Sequence, residues 1–436
     1  MKNKLDFKLK DLWYIFLIVA LPVICVGGAS AVPLNLRLPL IYTTGILFIF
    51  MFVFSDIKLR FNSVTISAFL FLAFIAISIF YSYDQKSTLN LLLLYACAFT
   101  LLFLDLPVRT FSKILSVMFV ICLVIAFSII LSALVENCML RYFKFIVNPL
   151  GTPSVNESIR RELSMGAYSG FAREKAEAAY IMNVGIAILF ARYFSLGKLK
   201  KKEIFFLIIF FIALMLTGKR TLFIICIVCF ALFMIVSKVH SKVFTAACVT
   251  LIALGALFIL VMFVPKVANI FNRFMDSENL ETLGQRDMLW SYLYLMISKC
   301  WTFGAGFGSF NKYAYNHGMT VGNQEWLYNG HNSYLQAFGE LGIIGSAFLV
   351  FFAVSALVLS VRLIKKLSSD TDSLYLLFFS LYIQIMLLIY AVTGNPLYSR
   401  QIVFCWFFAI GIMLSIHNRN SVPTLKSKRS LIDYEQ

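Results

Sequence analysis

"NGHNSYLQAFGELGIIGSAFLVFFAVSALVLSV" (329–361) opens as a polar turn and becomes a run apolar enough to sit in hydrocarbon. From 333 to 361 it holds a single ionisable residue, Glu340. About 20 such residues, rising 1.5 Å each as a helix, cross the core of a bilayer. Eleven further runs read the same way, at 12–32, 38–54, 64–81, 88–106, 114–135, 174–194, 203–217, 221–237, 243–264, 373–393 and 400–416. The first is followed by more spans and lacks a small-residue cleavage site, so it reads as an anchor.

The composition agrees: of 436 residues 61% are apolar and 14% charged. So little polar surface cannot cover a water-soluble protein of this size. The expected fold is therefore all-α: a polytopic helical membrane protein of about twelve spans forming one integral-membrane domain over 1–436. Two long outer loops interrupt it, at 136–173 and 265–332. The halves share no repeat, which weighs against a transporter built from two related halves.

The net charge of +17 does not point to nucleic acid, because of where the charge lies. With the N-terminus inside, seven short inner segments hold 22 of the 38 basic residues, among them Lys2, Arg60, Lys113, Lys200, Lys242, Arg362 and Lys426. The short outer turns hold Arg37, Lys86, Lys219, Arg220 and Arg400. Such asymmetry is the orientation signal of a bacterial inner-membrane protein, with both termini cytoplasmic. Cys226 and Cys229 form a CxxC on an apolar run with no partner pair, which reads as buried inert thiol. Cys138 and Cys300 both fall on the expected outer side, where a disulfide is permitted.

Charged groups at the outer boundary cost several kcal/mol unless paired, so each asks for a reason. "LTGKRTLFI" (216–224) is a tight outer turn bearing Lys219 and Arg220. It lacks the upstream glycine of a phosphate-binding P-loop. It is either a snorkelling interfacial pair or a clamp for an anionic headgroup, since an arginine fork suits phosphate oxygens. "NPLYSRQIVF" (395–404) ends another turn in Arg400. "GFAREKAEAAYIMN" (170–183) opens a span with Arg173, Glu174, Lys175 and Glu177, whose carboxylates also suit a helix start.

In the opening stretch, Asn332 or Ser333 can cap the helix and leave His331 to point elsewhere. Glu340 follows about 13 Å further along. His331 and Glu340 are expected to converge with Lys219, Arg220 and Arg400 on one outward-facing cavity. "GQRDMLWSYLYLMISKCW" (284–301) reads as a short amphipathic helix lying on the membrane or against the bundle. "FGAGFGSF" (303–310) reads as a tight, closely packed turn rather than a nucleotide loop.

Neutral histidine is a general base near pH 7, and arginines can hold a diphosphate leaving group. No acid or histidine cluster has metal-ligand spacing, so neither metal nor cofactor is expected. A lipid-anchored diphosphate sugar attacked by a hydroxyl would use such a set. A lipid-linked glycan transporter would need charges along a path through the bundle. A structural subunit of a polysaccharide assembly machine is a third reading.

"HNSYLQAFGELGIIG" resembles the signature of the O-antigen ligase and O-antigen polymerase superfamily: His331–Asn332, nine residues, then Gly342-x-x-Gly345, with Glu340 also fitting. "TGKRTLFI" is similar to the family's arginine-bearing outer turn, though Ile224 stands where ligases carry leucine. "GQRDMLW" followed by "FGAGFGSF" is similar to its upstream loop, with Arg286 at the basic position. The resemblance spans roughly 165–405.

It implies a membrane glycosyltransferase of GT-C-like type with a periplasmic active site and a donor glycan on undecaprenyl diphosphate. It also implies that His331 activates the acceptor hydroxyl and Arg220 contacts the diphosphate. Glu340 joins them as a catalytic candidate, while Lys219, Arg286, Asn332, Arg400 and Arg173 would bind substrate. A flippase and a chain-length regulator would be pathway partners. "EKAEAAY" and "GHNSYLQAFGELGIIG" lean towards a polymerase, which extends a chain on lipid-linked repeats, over a ligase, which moves the finished chain to lipid A-core.

Overall fold

A computed structural model describes residues 2–27, 34–54, 59, 61–148, 151–164, 166–172, 174–237, 280–318 and 329–421, and the described residues contain helices and no strand. Eleven of the twelve expected spans coincide with helices, and the remaining one, 243–264, lies outside the described residues. In chain order they are α1 Lys2–Val26, α2 Leu34–Phe54, α3 Ser63–Ser78, α4 Gln85–Phe99, α5 Val108–Leu134, α6 Cys138–Tyr142, α7 Lys144–Val147, α8 Pro153–Ser164, α9 Lys175–Leu196, α10 Lys201–Leu216, α11 Arg220–Val236, α12 Leu280–Cys300, α13 Phe310–Asn316, α14 Ser333–Lys366, α15 Thr371–Tyr390 and α16 Arg400–Ser421. Six are long and apolar enough to cross a membrane, and shorter apolar helices stand among them. The first helix is offset from its expected span: it runs from Lys2 to Val26 rather than from 12 to 32.

Helix is the dictated form here, because hydrocarbon offers no partner for a backbone amide or carbonyl. Turn residues set the ends. The Asn62 side chain accepts from the Val64 and Thr65 amides in a capping box, and Asp84 and Asp370 cap α4 and α15. Side-chain polarity sets the faces. Along α5, Val120, Val124, Phe127 and Leu131 are exposed, while Ile114, Met118, Cys122, Ile125 and Ile129 are buried. An apolar stripe facing outward at helical spacing is a lipid-facing surface.

The inner helices are α9, α15 and α16. The first two pack along each other, and α15 packs on α16. Asn183 at the centre of α9 ties it to α15 and to α11. The Asn183 amide donates to the Ala179 and Leu222 carbonyls, and its oxygen accepts from Tyr382 Oη at 2.9 Å and Cys226 Sγ at 3.1 Å. Cys226 is thus a core hydrogen-bonding group and Cys229 a buried thiol. Cys138 and Cys300 are both free, so the disulfide that their shared side permitted does not form.

The bundle departs from regularity at one place that the site depends on. α14 breaks at Gly342 (φ 63°, ψ −171°). An unbroken helix would pair the Ile343 amide with Gly339 O and the Ile344 amide with Glu340 O. Instead the segment 301–306 takes all four groups. Ala305 and Gly306 donate to Gly339 O and Glu340 O at 3.0 and 2.9 Å, and Ile343 and Ile344 donate to Trp301 O and Thr302 O at 2.8 and 3.4 Å.

Such close exchange leaves no room for side chains. A Cβ at Gly304 would strike the Glu340 carbonyl, and one at Gly342 would strike the Thr302 carbonyl. The glycines of "FGAGFGSF" therefore serve a closely packed turn, as their spacing suggested. α12, reading 280–300 rather than 284–301, packs against the bundle: Leu289, Leu293 and Met296 are buried, with Met296 against Gly339.

Gly342 occupies a backbone region that is almost exclusive to glycine. Gly342→Ala should cost more than the ~1–2 kcal/mol of a left-handed residue, because the Thr302 carbonyl must also move. Gly151→Ala, with nothing within 4 Å of its Cβ, should cost only that conformational term. Thermal unfolding in detergent should show a large loss of folded protein for the first and a small shift for the second.

Candidate functional site

His331 sits just before α14, between residues that are fixed: Gly330 on one side and Asn332 and Ser333 on the other. The Gly330 amide donates to Gln336 Oε1 at 2.9 Å, and the Gly330 carbonyl accepts from Trp290 Nε1 at 3.0 Å. Asn332 Oδ1 caps α14 by accepting from the Tyr334 and Leu335 amides at 3.0 and 3.1 Å. Ser333 donates its amide to Ala391 O and Gly394 O and its hydroxyl to Gly394 O. Held at both ends, His331 adopts φ 50°, a left-handed conformation uncommon for any residue but glycine. Its ring has no hydrogen-bond partner among the described residues. A tied backbone thus presents an open imidazole.

The neighbouring charges are positive. Burial against the loop, Arg286 and Lys219 together push the His331 imidazole below its ordinary value, so that it stays neutral. Lys219 precedes α11 and Arg220 is the first residue of that helix, half-buried. Burial, then Lys175, pull the Lys219 ammonium below its ordinary value, while Glu162 opposes them; Arg286 adds to the lowering and Glu174 counters it. Lys219 and Arg286 have no ion-pair partner within 4 Å among the described residues. Lys219 and Arg286, with no carboxylate in ion-pair contact among the described residues and Glu162 and Glu174 acting on Lys219 from further off, favour an anion beside them, and the start of α11 adds its dipole.

A second strand of chain closes over this end. Glu162 on α8 accepts the Lys175 amide at 3.2 Å, and the Tyr168 amide donates to Leu216 O at 3.0 Å. Burial raises the Glu162 carboxyl above its ordinary value. Thr393 Oγ1 meets Thr221 Oγ1 at 3.0 Å, so the 391–395 turn joins α11 to the start of α14.

The expected residues divide accordingly. His331, Lys219 and Arg286 share one electrostatic environment, Arg220 adjoins them, and Asn332 is spent partly on capping. Arg400 begins α16, half-buried, and no described interaction links it to His331 or Lys219. Arg173 lies outside the described residues.

Glu340 is corrected in position. Expected beside His331 on the cavity, it is fully buried beneath the 303–310 turn. Its Oε1 accepts from the Phe310 amide (3.0 Å) and Gln336 Nε2 (3.1 Å), and its Oε2 from the Gly308 amide (2.7 Å) and Tyr398 Oη (2.7 Å). Four donors saturate the carboxylate, which is why it can stand inside an apolar run. Gln336, Tyr398 and Asn395 escaped sequence reasoning because they looked like ordinary helix and turn residues.

The chain is thus a polytopic helical membrane protein in which His331, Lys219 and Arg286 share one electrostatic environment. Residues 205–350, 146 of the 436, match the family model described as Wzy_C, O-antigen ligase. The match covers about a third of the chain, and over that segment the sequence is similar to this family. It contains Arg220, Arg286, His331 and Glu340 and excludes Arg173 and Arg400. No curated protein matched the chain.

The lowered His331 value fixes the sign of a pH dependence. A base that acts when neutral remains competent down to its own pKa, so transfer should lose activity only below the usual histidine range near 6.5. Arg286→Gln removes one of the positive neighbours, raises that pKa, and should move the acidic limb to higher pH by a few tenths to about one unit. A pH profile of kcat/KM for both proteins checks this.

Proposed function

We propose that the chain is a polysaccharide polymerase of the bacterial inner membrane. It joins oligosaccharide repeat units carried on undecaprenyl diphosphate, at the periplasmic face, in the assembly of O-antigen or a related surface glycan. The observation that carries the reading is the setting of His331: an open, neutral imidazole on a doubly tied backbone, facing Lys219 and Arg286. The inward bias of lysine and arginine supports placing this end outside and both termini in the cytoplasm.

In the reaction, His331 takes the proton of an acceptor sugar hydroxyl. The hydroxyl oxygen then attacks the anomeric carbon of the donor. The bond from that carbon to the diphosphate oxygen breaks, its electron pair stays on oxygen, and undecaprenyl diphosphate leaves. Arg220, Lys219 and Arg286 hold the charge that develops, a duty suited to fixed cations in a site screened from water. The proton on His331 is released once the product has gone. Arg173 and Arg400 are assigned to the glycan or its phosphates, and the Asn332 amide group to a sugar hydroxyl.

A ligase would use the same chemistry with lipid A-core as acceptor, and the description of the matched family favours it as the second reading. A lipopolysaccharide gel separates the two. A strain lacking the gene should show core bearing one repeat, and the intact gene should restore the ladder. His331→Ala should lower transfer ~10²–10⁴-fold and Arg220→Ala ~10²–10³-fold, with both proteins present in membranes at the normal level. Bare core with accumulated lipid-linked polymer would make the chain a ligase. A full ladder from both variants would overturn the mechanism.

A further inference from the structure

Gln336 is a group that the sequence motif does not single out, yet it links the residue before His331 to the buried Glu340 carboxylate. Its Oε1 accepts from the Gly330 amide at 2.9 Å and from Asn395 Nδ2 at 2.7 Å, and its Nε2 donates to Glu340 Oε1 at 3.1 Å. It is buried, one helical turn before Glu340 on the same face. An amide can satisfy all three contacts in one orientation only: oxygen towards two donors, nitrogen towards a carboxylate. Glu340 chooses that orientation, because its three other bonds come from donors on the 303–310 turn and on the 396–398 turn, which keep its Oε1 an acceptor facing Gln336. The peptide that precedes His331 is then held on its amide side by Gln336 and on its carbonyl side by Trp290.

We propose that Gln336 and Glu340 are positioning residues for the His331 base. Glu340 sets the orientation of Gln336, and Gln336 holds the Gly330 peptide so that His331 keeps its left-handed conformation and its line to the acceptor hydroxyl. This rests on the reading of His331 as the base. It gives Glu340 a role at one remove from the reaction, since all its acceptor positions are taken and it lies beneath the turn. Glu340→Gln makes the logic visible: a new NH2 would face Gln336 Nε2 and the Phe310 amide, or Tyr398 Oη and the Gly308 amide. The first arrangement turns Gln336 over and sets its nitrogen against the Gly330 and Asn395 donors; the second leaves the Gly308 amide unpaired.

The test uses the full-length protein in liposomes with a synthetic undecaprenyl-diphosphate-linked repeat unit as donor and acceptor. Gln336→Leu should lower kcat ~10–100-fold, the order expected of an ångström-scale misplacement, with KM changed less than about threefold. In a His331→Ala background it should lower the rate no further, because residues acting through one group are not additive. Asn395→Ala removes one of the two donors to Gln336 Oε1 without touching Glu340; it should show the same signature at smaller size and serves if Gln336→Leu does not fold. A multiplicative further loss in the His331→Ala background, or wild-type kcat in a folded Gln336→Leu protein, would overturn the proposal. Full activity in His331→Ala alone would instead remove the base on which it rests.

Discussion

A helix in hydrocarbon cannot break without orphaning backbone groups, and α14 breaks at Gly342 all the same. The structure is permitted by the 301–306 segment, which supplies two donors and two acceptors to the groups that the break releases. Irregular backbone at such a place is stable only where protein, not lipid, surrounds it. From this one exchange follow the glycines at 304 and 342, the packing of α12 along the upper part of α14, and the seat of Glu340 under the 303–310 turn. A buried, saturated carboxylate is costly to disturb, since removing it strands four donors at about 1–3 kcal/mol each.

The same arrangement accounts for the rigidity of the site. His331 lies in a loop, and loops are ordinarily the mobile part of a fold. Here the residues before and after it are tied to α12, α14 and the 391–395 turn by bonds of 2.8–3.1 Å. Strain at a non-glycine residue with positive φ persists only where its surroundings over-determine it. That condition is met at His331 by backbone contacts, which leaves the imidazole for chemistry.

Charge is distributed with the opposite logic. The carboxylate beneath the loop is saturated by neutral donors, whereas Lys219 and Arg286 have no ion-pair partner within 4 Å among the described residues and, after burial, depress the basicity of His331. Neutral donors around an acid and unmatched cations around a base keep the two from neutralising each other across a short distance. At the other ends of the helices charges do pair, as in Arg192 with Glu203 at 3.1 Å and Arg419 with Asp105 at 3.3 Å.

The spans were legible from the sequence because hydrophobic length is a one-dimensional property, and eleven runs recur as helices. His331, Lys219 and Arg220 were legible because a polar or charged group at the edge of an apolar run is conspicuous wherever the chain later goes, whereas Arg286 was reached only through the resemblance. Glu340 was conspicuous for the same reason but was set in the wrong place: sequence separation gives its distance along the helix, not which face it turns or what covers that face. Gln336, Asn395 and Tyr398 gave no signal, since a neutral polar residue costs little to place and the partners cited lie up to 59 residues away. Composition and spacing thus determined that the chain is a helical membrane protein with cations and a histidine at one boundary. Only the tertiary structure decided that the histidine stays open while the glutamate is sealed, because hydrogen-bond saturation depends on groups that meet through folding alone.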